Sequence, residues 1–429
     1  MLTGKNQRLR RGLLICSIAL FADSGLQAGN AAPVPVKIQV DVSTVTGAIA
    51  PDFIGLGYET AAVAQTNYFS PKNAALIRLY RNLSPHGLIR IGGNISDHTA
   101  YVPDGTPAVH PEEGVTIINR AGLVDLGKFA RVTGWQVMWG LNLGSGSKDE
   151  AIQEALAVNA ALGGALQSFE IGNEVDFQPR FKNNYAAYHA AYLDYKAAIR
   201  AALPRAAFSG PDVAVNRDWL TAFANTEAHD LKLLTHHYYR SDAHSQRATL
   251  ELLLQSDEPW AGTLEKLQQT SGAHGVGYRI NEVNSFSGGG KTNVSDTFGS
   301  ALWCLDYMFV LATHGCDGIN LETDINQHAW ISHYSPIIHG VAGSCRARAE
   351  YYGMLAFAMA GHGELLKLTL DKGNINLSAY ATKDQCGHLR LTVVNKDLAQ
   401  DAGVEISLPA GYARAAVFRL TAPSVNSQD

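Results

Sequence analysis

The chain has 429 residues, of which 46% are apolar and 17% charged, with a net charge of −5. That length suffices for a sizeable core and more than one domain, and the composition is globular rather than disordered. With no basic run after the first dozen residues, bulk electrostatics argue against nucleic acid or an anionic membrane surface as a partner.

KNQRLRR followed by GLLICSIALFA has the basic start and short apolar run of a secretory leader, with small residues at Ala28 and Ala31 for cleavage. The run falls well short of the roughly 20 residues that a spanning helix needs. Residues 1–31 are therefore expected to be a cleaved signal peptide, with the mature protein secreted or periplasmic and no membrane-spanning segment after cleavage. Cys304, Cys316, Cys345 and Cys386 would remain. Their spacing fits no zinc pattern, and they read mainly as buried thiols, with a disulfide left open.

Residues 34–49 hold one strand, VKIQVDVSTV. From residue 50 to 361 apolar β-type runs alternate with helical patterns. The runs are FIGLGYE, GLIRIGG, WQVMWGLNL, LQSFEIGNE, AAFSGPDV, LKLLTHHYY, VGYRINE and DGINLE. Between and after them, segments such as NAALIRLYRNL, DEAIQEALAVNAALG and SDTFGSALWCLDYMFVLATHG place apolar residues three and four apart. Ser and Asp stand at expected N-caps, and Gly ends several helices. Eight βα units, with strands apolar on both faces, predict an α/β fold, a (β/α)8 barrel. Residues 362–429 alternate with period two and contain turn residues, so they predict an accessory antiparallel, sandwich-like β domain joined by the strand at 34–49. That domain is short for a closed sandwich, which leaves open whether the chain continues.

In such a barrel the chemistry sits at the C-terminal ends of the strands. The fourth run ends in Asn173-Glu174 and the seventh in Asn281-Glu282. One glutamate at a strand end is ordinarily ion-paired or solvated. Two, each after an asparagine and closing strands across one face, match the carboxyl pair that glycoside hydrolysis requires: one protonated, the other ionised. His236 and His237 read as packing or hydrogen-bonding groups, because no third ligand is spaced to make a metal site. No metal or cofactor is expected.

LIRIGGN, WGLNL, EIGNEVD, SGPDV, THHYY and EVNSFSGGG followed by SDTF occur in that order over nearly the whole mature chain. Together they resemble glycoside hydrolase family 79, the β-glucuronidase and heparanase family of the retaining clan A enzymes. The resemblance implies Glu174 as general acid/base, Glu282 as nucleophile, and Asn173 as the amide at the sugar 2-OH. It also implies Tyr238 as the hydroxyl that orients the nucleophile, with Glu59 and Asn94 on the sugar hydroxyls. The implied substrate is a carbohydrate carrying β-linked glucuronate. Gly288 and Gly289 would receive its carboxylate through backbone amides, as a glycine-rich turn can, helped by the Tyr334 hydroxyl. Trp330 and His333 stay open as neighbours of the site. The implied activity is retaining exo-β-glucuronidase. A heparanase-like endo enzyme and a non-catalytic carbohydrate-binding barrel are the alternatives. Exo action is preferred because the chain is acidic overall and lacks the basic clusters that suit sulfated polymers.

Overall fold

The computed structural model describes residues 12–19, 32–65, 67–104, 114–323, 332–339 and 344–428. Trp330 and most of the expected leader lie outside them. Eight parallel strands close into a barrel in chain order: Gly55–Glu59, Leu88–Gly92, Gln136–Leu141, Leu166–Ile171, Phe208–Val213, Leu231–Asp242, Tyr278–Ser287 and Gly318–Glu322. The eighth returns to the first through Leu321 opposite Leu56 and Glu322 opposite Gly57. All eight apolar runs are these strands, and each is buried along most of its length, as strands covered on both faces must be.

Four of the helices between them start on asparagine. The side chains of Asn73, Asn119, Asn184 and Asn216 accept from backbone amides of the first turn, and Ser147 with Glu150 forms a reciprocal capping box. The expected glycine ends hold at Gly134 and Gly275, both left-handed. One helix differs from the rest. Phe298–Thr313 has fourteen of its sixteen residues buried, because the barrel covers one side of it and the accessory sheet the other.

That accessory domain is a single seven-stranded sheet. Val34–Ile49, Gly363–Asp371, Leu377–Lys383 and Leu389–Asn395 pair antiparallel in that order. Ala402–Ser407 joins Val34–Ile49 in parallel, so the sheet is mixed rather than wholly antiparallel. Gly12–Ala19, within the segment expected as a leader, forms a strand parallel to both Leu389–Asn395 and Tyr412–Leu420. The sheet encloses its own core of Val36, Ile38, Leu377, Leu391 and Val393. It grips the helix Phe298–Thr313 through Tyr380 Oη to Asp306 at 2.8 Å, Lys396 Nζ to Asp306 at 2.6 Å, and a stack of Phe309 on Tyr380. Cys304, Cys316, Cys345 and Cys386 are free thiols, the first two buried. No helix among the described residues is long and apolar enough to cross a membrane.

Candidate active site

Inside the C-terminal end of the barrel, one cation collects the polar side chains. Arg90, on the second strand, is fully buried. Its guanidinium donates to Glu282 at 2.6 Å, to Asn173 Oδ1 at 2.6 Å and to Asp212 at 2.8 Å, and its Nε lies 3.4 Å from Glu170. Three strands are thereby tied to a fourth by a planar fork suited to carboxylates. Asn281 sits beneath Glu282 and donates to Glu170 at 2.8 Å and to Asp212. Its role is to hold the network rather than to face the cleft.

Glu282 and Glu174 come together at this face. The remaining oxygen of Glu282 accepts from Tyr239 Oη at 2.9 Å. Glu174 has left-handed backbone, φ 44°, directly after Gly172-Asn173, and its side chain is 21% exposed. His237 bridges inward, with Nδ1 3.2 Å from Glu174 Oε1 and 3.8 Å from Glu282 Oε2, and Nε2 2.7 Å from Asp212. One ligand atom from each of Glu174, His237 and Glu282 lies within 4.8 Å of the others. The trio is close enough to hold a cation, but Arg90 already supplies positive charge there.

The charges follow from burial and neighbours. Burial pulls Arg90 down, but Asp212, Glu282 and Glu170 outweigh it and hold the guanidinium above its ordinary range. Burial pushes Asp212 up, yet Arg90 and His237 overcome this and keep its carboxyl below the ordinary range. His237 is lowered by burial and raised more by Asp212 and Glu282, so it stays imidazolium at neutral pH. Glu170 has too little compensation. Burial, with Asp212 adding, raises it to about 8. Two cations, Arg90 and His237, therefore face Asp212 and the Glu174–Glu282 pair across one buried cluster.

Asn173 is 2% exposed, held by Arg90 from one side while its amide donates to Asn94 Oδ1 at 3.0 Å. Asn94 itself is exposed at the rim. Asp97 holds the surrounding loops by accepting from the backbone amides of Leu143, Gly144 and Asn173. Burial raises it to about 6. Glu59 closes the first strand and accepts from Ile95 N at 2.8 Å. Gly93 explains the paired glycines before Asn94: it has φ 73°, and a Cβ there would come within 2.2 Å of the Glu59 carboxylate.

One expected position is corrected. Tyr238 does not reach Glu282. Its hydroxyl donates to Asp257 at 2.8 Å, and its ring packs on Trp260 and Tyr307 in the helix layer. Along this strand Thr235, His237 and Tyr239 face the barrel interior, while His236 and Tyr238 face the helices. Tyr239 therefore takes the orienting position. His236 packs as expected, whereas His237 hydrogen-bonds inside the site.

Gly288, Gly289 and Gly290 have φ of 71°, 84° and 85°, so the turn requires glycine at each, whatever it binds. His333 N donates to Gly289 O at 2.6 Å, and His333 Nδ1 reaches Asp296 of the SDTF motif at 3.2 Å. This brings Tyr334 beside Tyr239, the two rings stacked with centroids 6.3 Å apart. Arg90, Asp97, Asp212 and Tyr239 were not singled out from the sequence, whereas His237 hydrogen-bonds as expected. For Arg90 the available signal was an arginine between two isoleucines in a buried strand.

No family model matches the chain. A curated β-glucuronidase of Aspergillus niger is 23% identical over 394 residues, covering 81% of this chain and 70% of its own. Among solved structures, a 4-O-α-L-rhamnosyl-β-D-glucuronidase from Fusarium oxysporum 12S superposes with TM-score 0.68 at 18% identity, covering 88% of this chain and 84% of its own. An α-L-arabinofuranosidase from Thermotoga maritima gives TM-score 0.63 at 15% identity, covering 88% of both chains. The chain has the fold of these glycoside hydrolases and is an enzyme of that type, and the matches support its resemblance to glycoside hydrolase family 79.

Proposed function

We propose that the chain is a retaining exo-β-glucuronidase that releases terminal β-linked glucuronate from polysaccharides or glycoconjugates. The observation that carries this reading is the approach of Glu174 and Glu282, whose nearest oxygens fall within 4.8 Å through their shared neighbour His237. Retaining enzymes hold their carboxyl groups about 5–5.5 Å apart, and inverting ones about 6.5–9.5 Å, to admit a water. The curated relative and the Fusarium structure are both glucuronidases by name, which supports the sugar.

In this mechanism Glu282 attacks the anomeric carbon. Arg90 and Tyr239 each donate to one of its oxygens and so fix the carboxylate in place. Glu174 protonates the glycosidic oxygen as the leaving group departs. It then takes a proton from the water that hydrolyses the glycosyl-enzyme. His237 Nδ1 lies 3.2 Å from Glu174 Oε1 and holds that carboxyl group in position. Asn173, fixed by Arg90 and Asn94, meets the sugar 2-OH, and Glu59 its other hydroxyls. Gly288, Gly289 and Tyr334 receive the sugar carboxylate.

A panel of 4-nitrophenyl glycosides tests the reading. Cleavage of the β-glucuronide, with silence on the β-glucoside and β-xyloside, is expected. NMR of the first product should show the β anomer, and an α product would reject the two-step route. Glu282→Ala should lose roughly 10⁴-fold or more in kcat while keeping its fold.

A further inference from the structure

We propose that the cleft on the outer side of Glu174 is the leaving-group subsite, and that it takes a pyranose ring stacked on Phe177. The proposal rests on the glucuronidase reading above and adds to it what the enzyme accepts beyond the scissile bond. The cleft has a volume of about 410 Å³, in the range of small-molecule sites. Glu174 lines it and Glu282 does not. The acid must reach the glycosidic oxygen that joins the two sugars, whereas the nucleophile lies under the glucuronate ring. A cleft that takes in the acid and Asn173 but not the nucleophile therefore runs from the 2-OH side of the scissile bond toward the departing sugar.

Phe177 is 59% exposed and lines the cleft, so its ring is presented to whatever occupies it. Its backbone is held on every side. Phe177 N donates to Glu174 O at 2.7 Å. Asp176 before it accepts from the amides of Ala214, Val215 and Asn216 at 2.8, 3.0 and 2.9 Å. Gln178 after it donates to Asn173 O and Asp97, and Arg180 to Leu143 O. The loop that carries the ring is braced in this way and loses little freedom on binding, and the ring stands at its surface. It offers a flat face to the C–H side of a pyranose, while Asn94, His98 and Arg180 around the cleft are placed for the hydroxyls.

The test compares two substrates, methyl β-glucuronide and a β-glucuronosyl disaccharide, in wild type, Phe177→Ala and Phe177→Trp. The wild type should favour the disaccharide in kcat/KM. Phe177→Ala should lower the disaccharide-to-methyl ratio about ten-fold, mainly through KM, and Phe177→Trp should restore it. An unchanged ratio, or equal losses on both substrates, overturns the subsite while the glucuronidase reading stands. Failure of the wild type to cleave either glucuronide overturns that reading, and the subsite falls with it.

Discussion

Two arginines are fully buried inside the same barrel, and they do different work. Arg279, low in the barrel, donates to the backbone carbonyls of Asp52, Phe53 and Ile319 and to Asn320 Oδ1. Its close partners are neutral, and burial lowers it. Arg90, at the catalytic end, is held above its ordinary range by Asp212, Glu282 and Glu170, although burial opposes this. The first closes the floor of the barrel by satisfying carbonyls. The second holds a charge where the chemistry needs one. Burial alone therefore does not mark a functional cation; the charge on its partners does.

The largest effect should come from Arg90→Met, which strands Asp212 and Glu282 without their cation. Activity on 4-nitrophenyl β-glucuronide should fall about 10²–10³-fold, and stability by about 3–5 kcal/mol in urea titration. Retained activity would erase the distinction between the two arginines. Arg279→Met should lower stability by about 2–4 kcal/mol through unsatisfied carbonyls, yet hold kcat/KM within about three-fold at a temperature where it is folded.

The two tyrosines of one strand repeat the contrast at smaller scale. Tyr239→Phe removes a donor to Glu282 and should cost about 10- to 100-fold in kcat. Tyr238→Phe should cost about 1 kcal/mol of stability and less than about two-fold in rate. Reversed results would reinstate Tyr238 as the orienting residue.

The smallest effect concerns a carboxylate buried with no cation beside it. Glu154 accepts from Trp139 Nε1 at 2.8 Å, and burial raises it from 4.5 to about 8. The folded chain then keeps a proton that the unfolded chain has released. Stability should fall as pH rises from about 4.5 to about 8 and level off above that. Glu154→Gln keeps an acceptor for Trp139 and should flatten this slope. Melting temperatures should coincide near pH 4.5, with the variant ahead by about 1–2 kcal/mol of stability at pH 8.5.

The barrel was readable in the chain because each strand is apolar on both faces and each helix carries its stripe at the right spacing. Glu174 and Glu282 were readable because a carboxylate ending such a strand has no apolar role. The same property hid the rest. Where both faces are buried, polar–apolar alternation disappears, so HHYY carries no mark of which tyrosine points inward. Arg90 and Asp212 lay within strand motifs whose register only the closed barrel fixes. The mixed sheet was hidden for another reason: period two identifies a strand but not the direction of its neighbour, and Ala402–Ser407 could pair either way.

The helix Phe298–Thr313 has a consequence for the order of events during synthesis. Its partner Lys396 leaves the ribosome ninety residues after Asp306. Until then the nascent barrel carries a helix whose cover is incomplete: Val34–Ile49 is already made, but Leu377–Lys383 and Leu389–Asn395, with Tyr380 and Lys396, are not. That interval is when a chaperone, or a neighbouring nascent chain, has access to the apolar surface. A fragment ending before residue 362 would keep that exposure permanently, so the small sheet acts as a fitted cover for an apolar helix of the larger unit.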